Sequence, residues 1–159
     1  MTAWRDVGAA APEFAARVRG LFEARTHKTI PALCADGAPR ISGIECEFVD
    51  GELQFGSMTG ARKGADLRRD PRFALHGPTV DPVKGQEAAW PGEAKVAGRA
   101  VPAGALTAEP GAADDEVPEG ELFVADITEV VITALDEAGT MLVIDSWTPT
   151  RGLRRVERA

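Results

Sequence analysis

The chain has 159 residues, with 18 Lys+Arg against 25 Asp+Glu and a formal net charge of −7. At roughly 150 residues a chain buries about two-thirds of its extended surface on folding, so one core is feasible without disulfides. The 44% apolar fraction excludes an intrinsically disordered chain, and no apolar run reaches the roughly 18 residues that a membrane span needs.

These figures describe one soluble globular domain over 1–159. The start Met1-Thr2-Ala3-Trp4-Arg5-Asp6 has no basic segment leading into an apolar stretch, so no signal peptide is expected and a cytoplasmic address follows. Cys34 and Cys46 are expected to be small buried hydrophobes rather than a bridge. His27 and His76 show no metal-ligand spacing, and no metal site is expected. The acidic balance argues against a nucleic-acid partner, because phosphate affinity is carried by an excess of Lys and Arg.

The charge is unevenly spread. Five of the 18 basic residues (Arg62, Lys63, Arg68, Arg69, Arg72) lie between Gly60 and Arg72, against Asp66 and Asp70 alone. Four more (Arg151, Arg154, Arg155, Arg158) lie in 151–158, against Glu157.

In chain order, Phe14, Val18, Leu21 and Phe22 fall on one helical face, with Pro12 and Glu13 suited to a first turn, so a helix is predicted over 12–25. Asp36-Gly37 and Asp50-Gly51, 14 residues apart, are hairpin signals, because Gly accepts the positive φ of a tight reversing turn. They predict a three-stranded antiparallel meander over 29–57. In its middle strand Ile44, Cys46 and Phe48 take one face, and Glu45, Glu47 and Val49 the other. A flexible turn, 56–60, then precedes a short helix, 61–69, ended by Asp70-Pro71.

Beyond it, 73–76 and 94–101 are predicted strands separated by a Pro-containing loop, 77–92. The stretch 102–120, rich in Ala, Gly, Pro and acid, is predicted as a loop or a poorly packed helical insert. Three β-branched apolar strands follow at 122–127, 130–135 and 141–147, the last being the final strand. The total is six or seven strands with one or two helices, and a mainly β (α+β) antiparallel barrel is the economical architecture.

The segment Ser57-Met58-Thr59-Gly60-Ala61-Arg62-Lys63 bears on chemistry. A glycine-bearing turn delivers a basic pair to a helix N-terminus, where orphan N–H groups and the helix dipole favour an anion such as a phosphate. The competing reading is a solvated basic patch balanced by Asp66 and Asp70. The order of residues is not that of a P-loop, and no Gly-x-Gly-x-x-Gly follows a strand.

Ala38-Pro39-Arg40-Ile41-Ser42-Gly43-Ile44, Asp50-Gly51-Glu52-Leu53-Gln54-Phe55, Gly60-Ala61-Arg62-Lys63 and Leu67-Arg68-Arg69-Asp70-Pro71-Arg72 together resemble the pyridoxamine 5′-phosphate oxidase-like flavoproteins. The resemblance runs over about 14–101. It implies a six- to seven-stranded antiparallel split β-barrel with a few short helices, and an FMN at a homodimer interface. Arg62 and Lys63 match the family's phosphate pair, and Arg40 its phosphate-side Arg. The strand Arg40, Ile41, Ser42, Gly43 matches the segment whose backbone lies along the flavin, Ser57 and Met58 the turn beside it, and Trp147 a C-terminal Trp near the flavin.

The resemblance implies an FMN-dependent oxidoreductase acting on a small molecule. Pyridoxamine phosphate is disfavoured as its substrate. Glu45 stands where those enzymes carry a Lys for the substrate phosphate, and Arg151-Gly152-Leu153-Arg154 lacks their Arg-x-His element. The barrel also resembles the F420 (deazaflavin)-dependent reductases of actinobacteria. The long polyglutamate tail of F420 favours an open basic groove, which Arg68, Arg69 and Arg72 would supply unless they are a solvated helix face. A non-catalytic flavin- or haem-binding protein on this barrel and a plain interaction domain are the other readings. No side chain stands out as a general acid: the chain has no Tyr, and His27 and His76 have no evident orienting partner.

Overall fold

The computed structural model describes residues 1–106 and 119–159. The N-terminal part forms two helices, α1 (Trp4–Ala10) and α2 (Pro12–Glu23). Strands β1 (Lys28–Leu33), β2 (Pro39–Ile44), β3 (Cys46–Val49) and β4 (Glu52–Met58) follow, then α3 (Arg62–Arg69) and β5 (Arg72–His76). The long strands β6 (Glu93–Ala105) and β7 (Gly120–Leu135) precede β8 (Leu142–Thr148) and β9 (Gly152–Arg158).

All pairings are antiparallel, in the order β2-β1-β5-β6-β7-β4-β3, with β8 on β7 and β9 on β8. Strands β2 and β3 are the two ends of this path, yet only Glu45 separates them in the chain. One residue can bridge the two ends only if the sheet curls round on itself. The ends do not pair, and the barrel is split there.

Both Asp-Gly turns are where the sequence places them, with Gly37 at φ 82° and Gly51 at φ 78°. The meander is not. The run 38–49 breaks at Glu45 into β2, which pairs with β1, and β3, which pairs with β4. The alternation through Ile44, Cys46 and Phe48 persists across the break, so burial periodicity alone shows no corner.

The apolar runs 122–127 and 130–135 are one strand. Ala97 faces Glu129 and Gly98 faces Ile127, which leaves Thr128 as the extra residue of a bulge. The bulge shifts the inward phase from Phe123, Ala125 and Ile127 to Val130, Ile132 and Ala134, all in the core. At the same place β7 changes its second neighbour, from β4 over Gly120–Val124 to β8 over Val130–Leu135.

Further differences lie at the ends. Helix α1 is unforeseen: Trp4 and Val7 are buried, and the Trp4 ring lies 4.5 Å from that of Phe48. Residues Pro102–Ala105 extend β6 rather than opening a loop. Residues 107–118 of the predicted insert fall outside the described residues, and its last residue, Gly120, opens β7. The basic run after Trp147 forms β9, which brings the described strands to nine against the predicted six or seven. Arg155 on β9 clamps the buried Asp145 of β8 through Nε and Nη2 at 2.8 and 3.0 Å.

The core joins the buried faces of α1 and α2 to the inward residues of the sheet, with Phe22, Phe123, Ile30, Leu53 and Leu67 fully enclosed. Phe55 is its aromatic centre, 5.0 Å from Phe73 and 6.0 Å from Phe123. At the bulge, a Cβ on Gly98 would lie 2.3 Å from the Asp126 carbonyl oxygen, backbone that cannot yield cheaply. Gly98→Ala is therefore expected to destabilise the fold by about 1–3 kcal/mol, read as a lower urea midpoint at unchanged m-value.

Candidate anion site at the start of α3

Strand β4 ends at Met58, and Gly60 at φ 78° turns the chain, with the Ala61 N–H donating to the Met58 carbonyl at 3.0 Å. Helix α3 begins at Arg62 and stops where Pro71 bars a helical Asp70. Its N-cap, Ala61, offers no side-chain acceptor, and its first turn holds no acidic residue. The positive end of the helix is left open to an anion.

Helix α3 lies close on β4 because residue 64 is glycine. A Cβ there would stand 2.6 Å from Ser57 Oγ. That hydroxyl is buried beneath the first turn and has no hydrogen-bond partner, so a polar group has been taken from water without replacement.

The helix also runs beside β2. Lys63 Nζ donates to the Gly43 carbonyl at 2.9 Å, and Arg40 Nε donates to Asp66 Oδ2 at 2.7 Å. Arg69 Nη2 donates both to Asp66 Oδ1 at 2.8 Å and to the Leu33 carbonyl at 2.5 Å. Hydrogen bonds from Arg69 and then Arg40 hold the Asp66 carboxyl below its ordinary range, against the opposing effect of burial. Burial lowers the Lys63 ammonium, and the charge of Glu45 opposes this.

Three of the five clustered basic side chains are neutralised in place. Arg68 pairs with Glu121 at 2.9 Å, Arg69 with Asp66 at 2.8 Å and Arg72 with Asp70 at 2.5 Å. Arg72 draws the Asp70 carboxyl down to about 2. Arg62 is exposed, and among the described residues it makes no ion pair or side-chain hydrogen bond. The free positive charge is thus gathered at the open end of α3 rather than spread as a groove.

The structure brings eight of the nine sequence-predicted site residues together. Arg40, Ser42 and Gly43 lie on β2 beside α3, and Ile41, on the same strand, stands 72% exposed. Ser57 is buried and Met58 is 61% exposed at the end of β4, while Arg62 and Lys63 open α3. Trp147 is not with them. It faces Val130 on β7, whereas Met58 faces Gly120, so the two are roughly 30 Å apart along that strand at about 3.3 Å per residue. Trp147 is a core residue with a buried Nε1 that has no partner.

His76, expected to lack an orienting partner, has two: its Nδ1 lies 2.7 Å from the Gly77 carbonyl and its Nε2 3.5 Å from Glu93. In the sequence Asp66 stands only as one of two balancing charges. Its spacing, four residues after Arg62 and three before Arg69, is the signal that was present. Both cysteines are free. A cavity of about 320 Å³ lies elsewhere, between α2 and the 78–91 loop, and none of the site residues lines it. Among the described residues no helix is long and apolar enough to cross a membrane.

No family model matches the chain, and no curated protein matches it. Solved structures do. A pyridoxamine 5′-phosphate oxidase-related, FMN-binding protein from Nostoc punctiforme PCC 73102 superposes with a TM-score of 0.60 at 12% identity, over 100% of this chain and 98% of that one. The chain has the split-barrel fold. PhzG from Burkholderia lata 383, solved in complex with tetrahydrophenazine-1-carboxylic acid, shares this split barrel with a TM-score of 0.58 at 13% identity, over 93% and 87% of the two chains. General stress protein 26 from Bacillus anthracis str. Sterne does so with a TM-score of 0.54 at 12% identity, over 74% and 91%. At these identities the likeness is one of fold. It agrees with the architecture that the sequence resemblance implied.

The Asp66 clamp carries a pH signature. Because its folded value is depressed, its contribution to stability is complete above about pH 4 and is lost as pH falls toward the folded value. In urea unfolding, Asp66→Asn should lose stability relative to the parent at pH 6, and the gap between the two should narrow toward pH 2.

Proposed function

We propose that the chain binds FMN, with the phosphate at the start of α3 and the flavin ring beside β2, and acts as a flavin-dependent oxidoreductase on a small molecule. The observation that carries the reading is the open end of α3. An uncapped first turn without acid, the unpaired Arg62, Lys63 and the orphaned Ser57 hydroxyl converge there. A phosphomonoester fits this set: it accepts from backbone N–H groups, matches the guanidinium of Arg62 and brings negative charge to a first turn that has no acidic residue and no side-chain cap. The FMN named for the Nostoc structure supports the same choice.

The neutralised arginines bear on which flavin. A tail of several carboxylates calls for free cations beyond the phosphate site, and Arg68, Arg69 and Arg72 each already face a carboxylate. The charge left over suits one phosphate, which favours FMN over F420.

In this reading Arg62 and Lys63 hold the phosphate, and the β2 backbone from Arg40 to Gly43 lies along the ring. FMN, when bound, supplies hydride or electron transfer, and the chain supplies binding and orientation. Lys63 also ties α3 to β2 through the Gly43 carbonyl, so phosphate and ring are held by elements fixed to one another. Ile41 and Met58, exposed apolar side chains at the rim, leave that side open in a single chain. We infer that a second copy closes it in a homodimer.

Absorbance of the purified protein and mass spectrometry of the released small molecule test the reading; native protein without flavin that takes up none on FMN titration would refute it. Arg62→Ala and Lys63→Ala are each expected to weaken FMN binding by about 1.5–3 kcal/mol, measured by flavin fluorescence, through loss of a charge-assisted phosphate contact.

A further inference from the structure

We propose that Asp66 is the positioning residue of this site: it holds Arg40 by one edge of the guanidinium, so that the remaining N–H groups of Arg40 serve the anion bound at the start of α3. The inference rests on the reading of that helix end as a phosphate site. Asp66 is 4% exposed, and its two carboxylate oxygens are engaged by different arginines, Oδ2 by Arg40 and Oδ1 by Arg69. Arg69 is itself fastened to the Leu33 carbonyl. The carboxylate is thus held from within its own helix and from the end of β1, and Arg40 reaches it from β2.

A guanidinium is a planar fork of five N–H donors. Arg40 uses Nε on Asp66, and no other side-chain hydrogen bond engages it among the described residues. Its Nε is therefore engaged while its two terminal nitrogens are left to donate, and its side chain remains 29% exposed. Asp66 lies one helical turn, about 5 Å, from the open end of α3, on the face shared with Arg62. Without the clamp Arg40 is a long side chain on an edge strand, and ordering it on an anion costs rotamer entropy.

The negative charge of Asp66 works against an anion, so the sign of its effect has to be decided. The cluster Arg40, Asp66 and Arg69 carries two positive charges and one negative, and both carboxylate oxygens already face a guanidinium. The field of the carboxylate is largely cancelled at its source. The orientation of Arg40 is not, and orientation prevails.

Dissociation constants for FMN and for riboflavin, which lacks the phosphate, are measured by flavin fluorescence on the full chain, and the riboflavin value divided by the FMN value isolates the phosphate contribution. In the parent FMN binds more tightly. Asp66→Asn is expected to reduce that ratio at least about tenfold and to leave riboflavin affinity unchanged. In an Arg40→Ala background Asp66→Asn should change the ratio no further, which a general loosening of the fold would not produce. An unchanged or increased ratio in Asp66→Asn overturns the proposal. A parent that binds the two flavins equally overturns the phosphate reading beneath it. If Asp66→Asn does not fold, Arg40→Lys keeps the charge and loses the fork that donates to Asp66 and to the anion from separate nitrogens; the same fall in ratio is expected, and an unchanged ratio overturns the proposal.

Discussion

Strand β7 bears the architecture, and the bulge at Thr128 decides what it can bear. A strand presents alternate residues to alternate faces, so sixteen residues in one phase would keep a single set of neighbours along a single surface. The extra residue advances the phase by one, and Val130 and Ile132 continue inward where Phe123 and Ile127 left off. The same bend lets β7 exchange β4 for β8 along one edge while β6 stays on the other. The curl that sets β4 and α3 beside β2 depends on this shared strand, and Gly98 is the point on β6 where the backbones come too close for any side chain.

The candidate site is a consequence of where the curled sheet brings its ends. Arg40 and Asp66 are separated by 26 residues, and Arg68 and Glu121 by 53. Each pair lies within hydrogen-bond distance because α3 is wedged between β2 and the end of β4. An exposed pair such as Arg68–Glu121 contributes little to stability singly. The effect of the pairs here is on the distribution of charge: they cancel the middle and end of α3 and leave its start positive. An acidic protein thereby carries one local site of the opposite sign.

Much of this was legible in the sequence. Asp36-Gly37, Asp50-Gly51 and Asp70-Pro71 declare their turns through backbone chemistry that acts within a few residues. The Arg62-Lys63 pair after Gly60 marks a helix start for the same local reason. The corner at Glu45 was not legible, because alternation continues through it and only the closing of the sheet shows that β2 and β3 have different partners. The bulge made one strand look like two for the converse reason: a phase shift interrupts alternation without interrupting hydrogen bonding. Strand β9 was hidden by its composition, since a strand exposed on both faces and rich in arginine has no apolar periodicity to display.

The sequence by itself determined the class of fold, the local turns and helices, and a cluster of basic residues at the mouth of α3, all of which follow from propensities and spacings over short range. Only the tertiary structure decided which of those charges remain free. Arg68, Arg69 and Arg72 look alike in the chain as members of one basic run, but carboxylates from their own helix, its end and a distant strand cancel them. Trp147 likewise matches a site residue by type, and the register of β8 on β7 makes it part of the core. Charge and contact at long range depend on distance in space, which the order of residues does not contain.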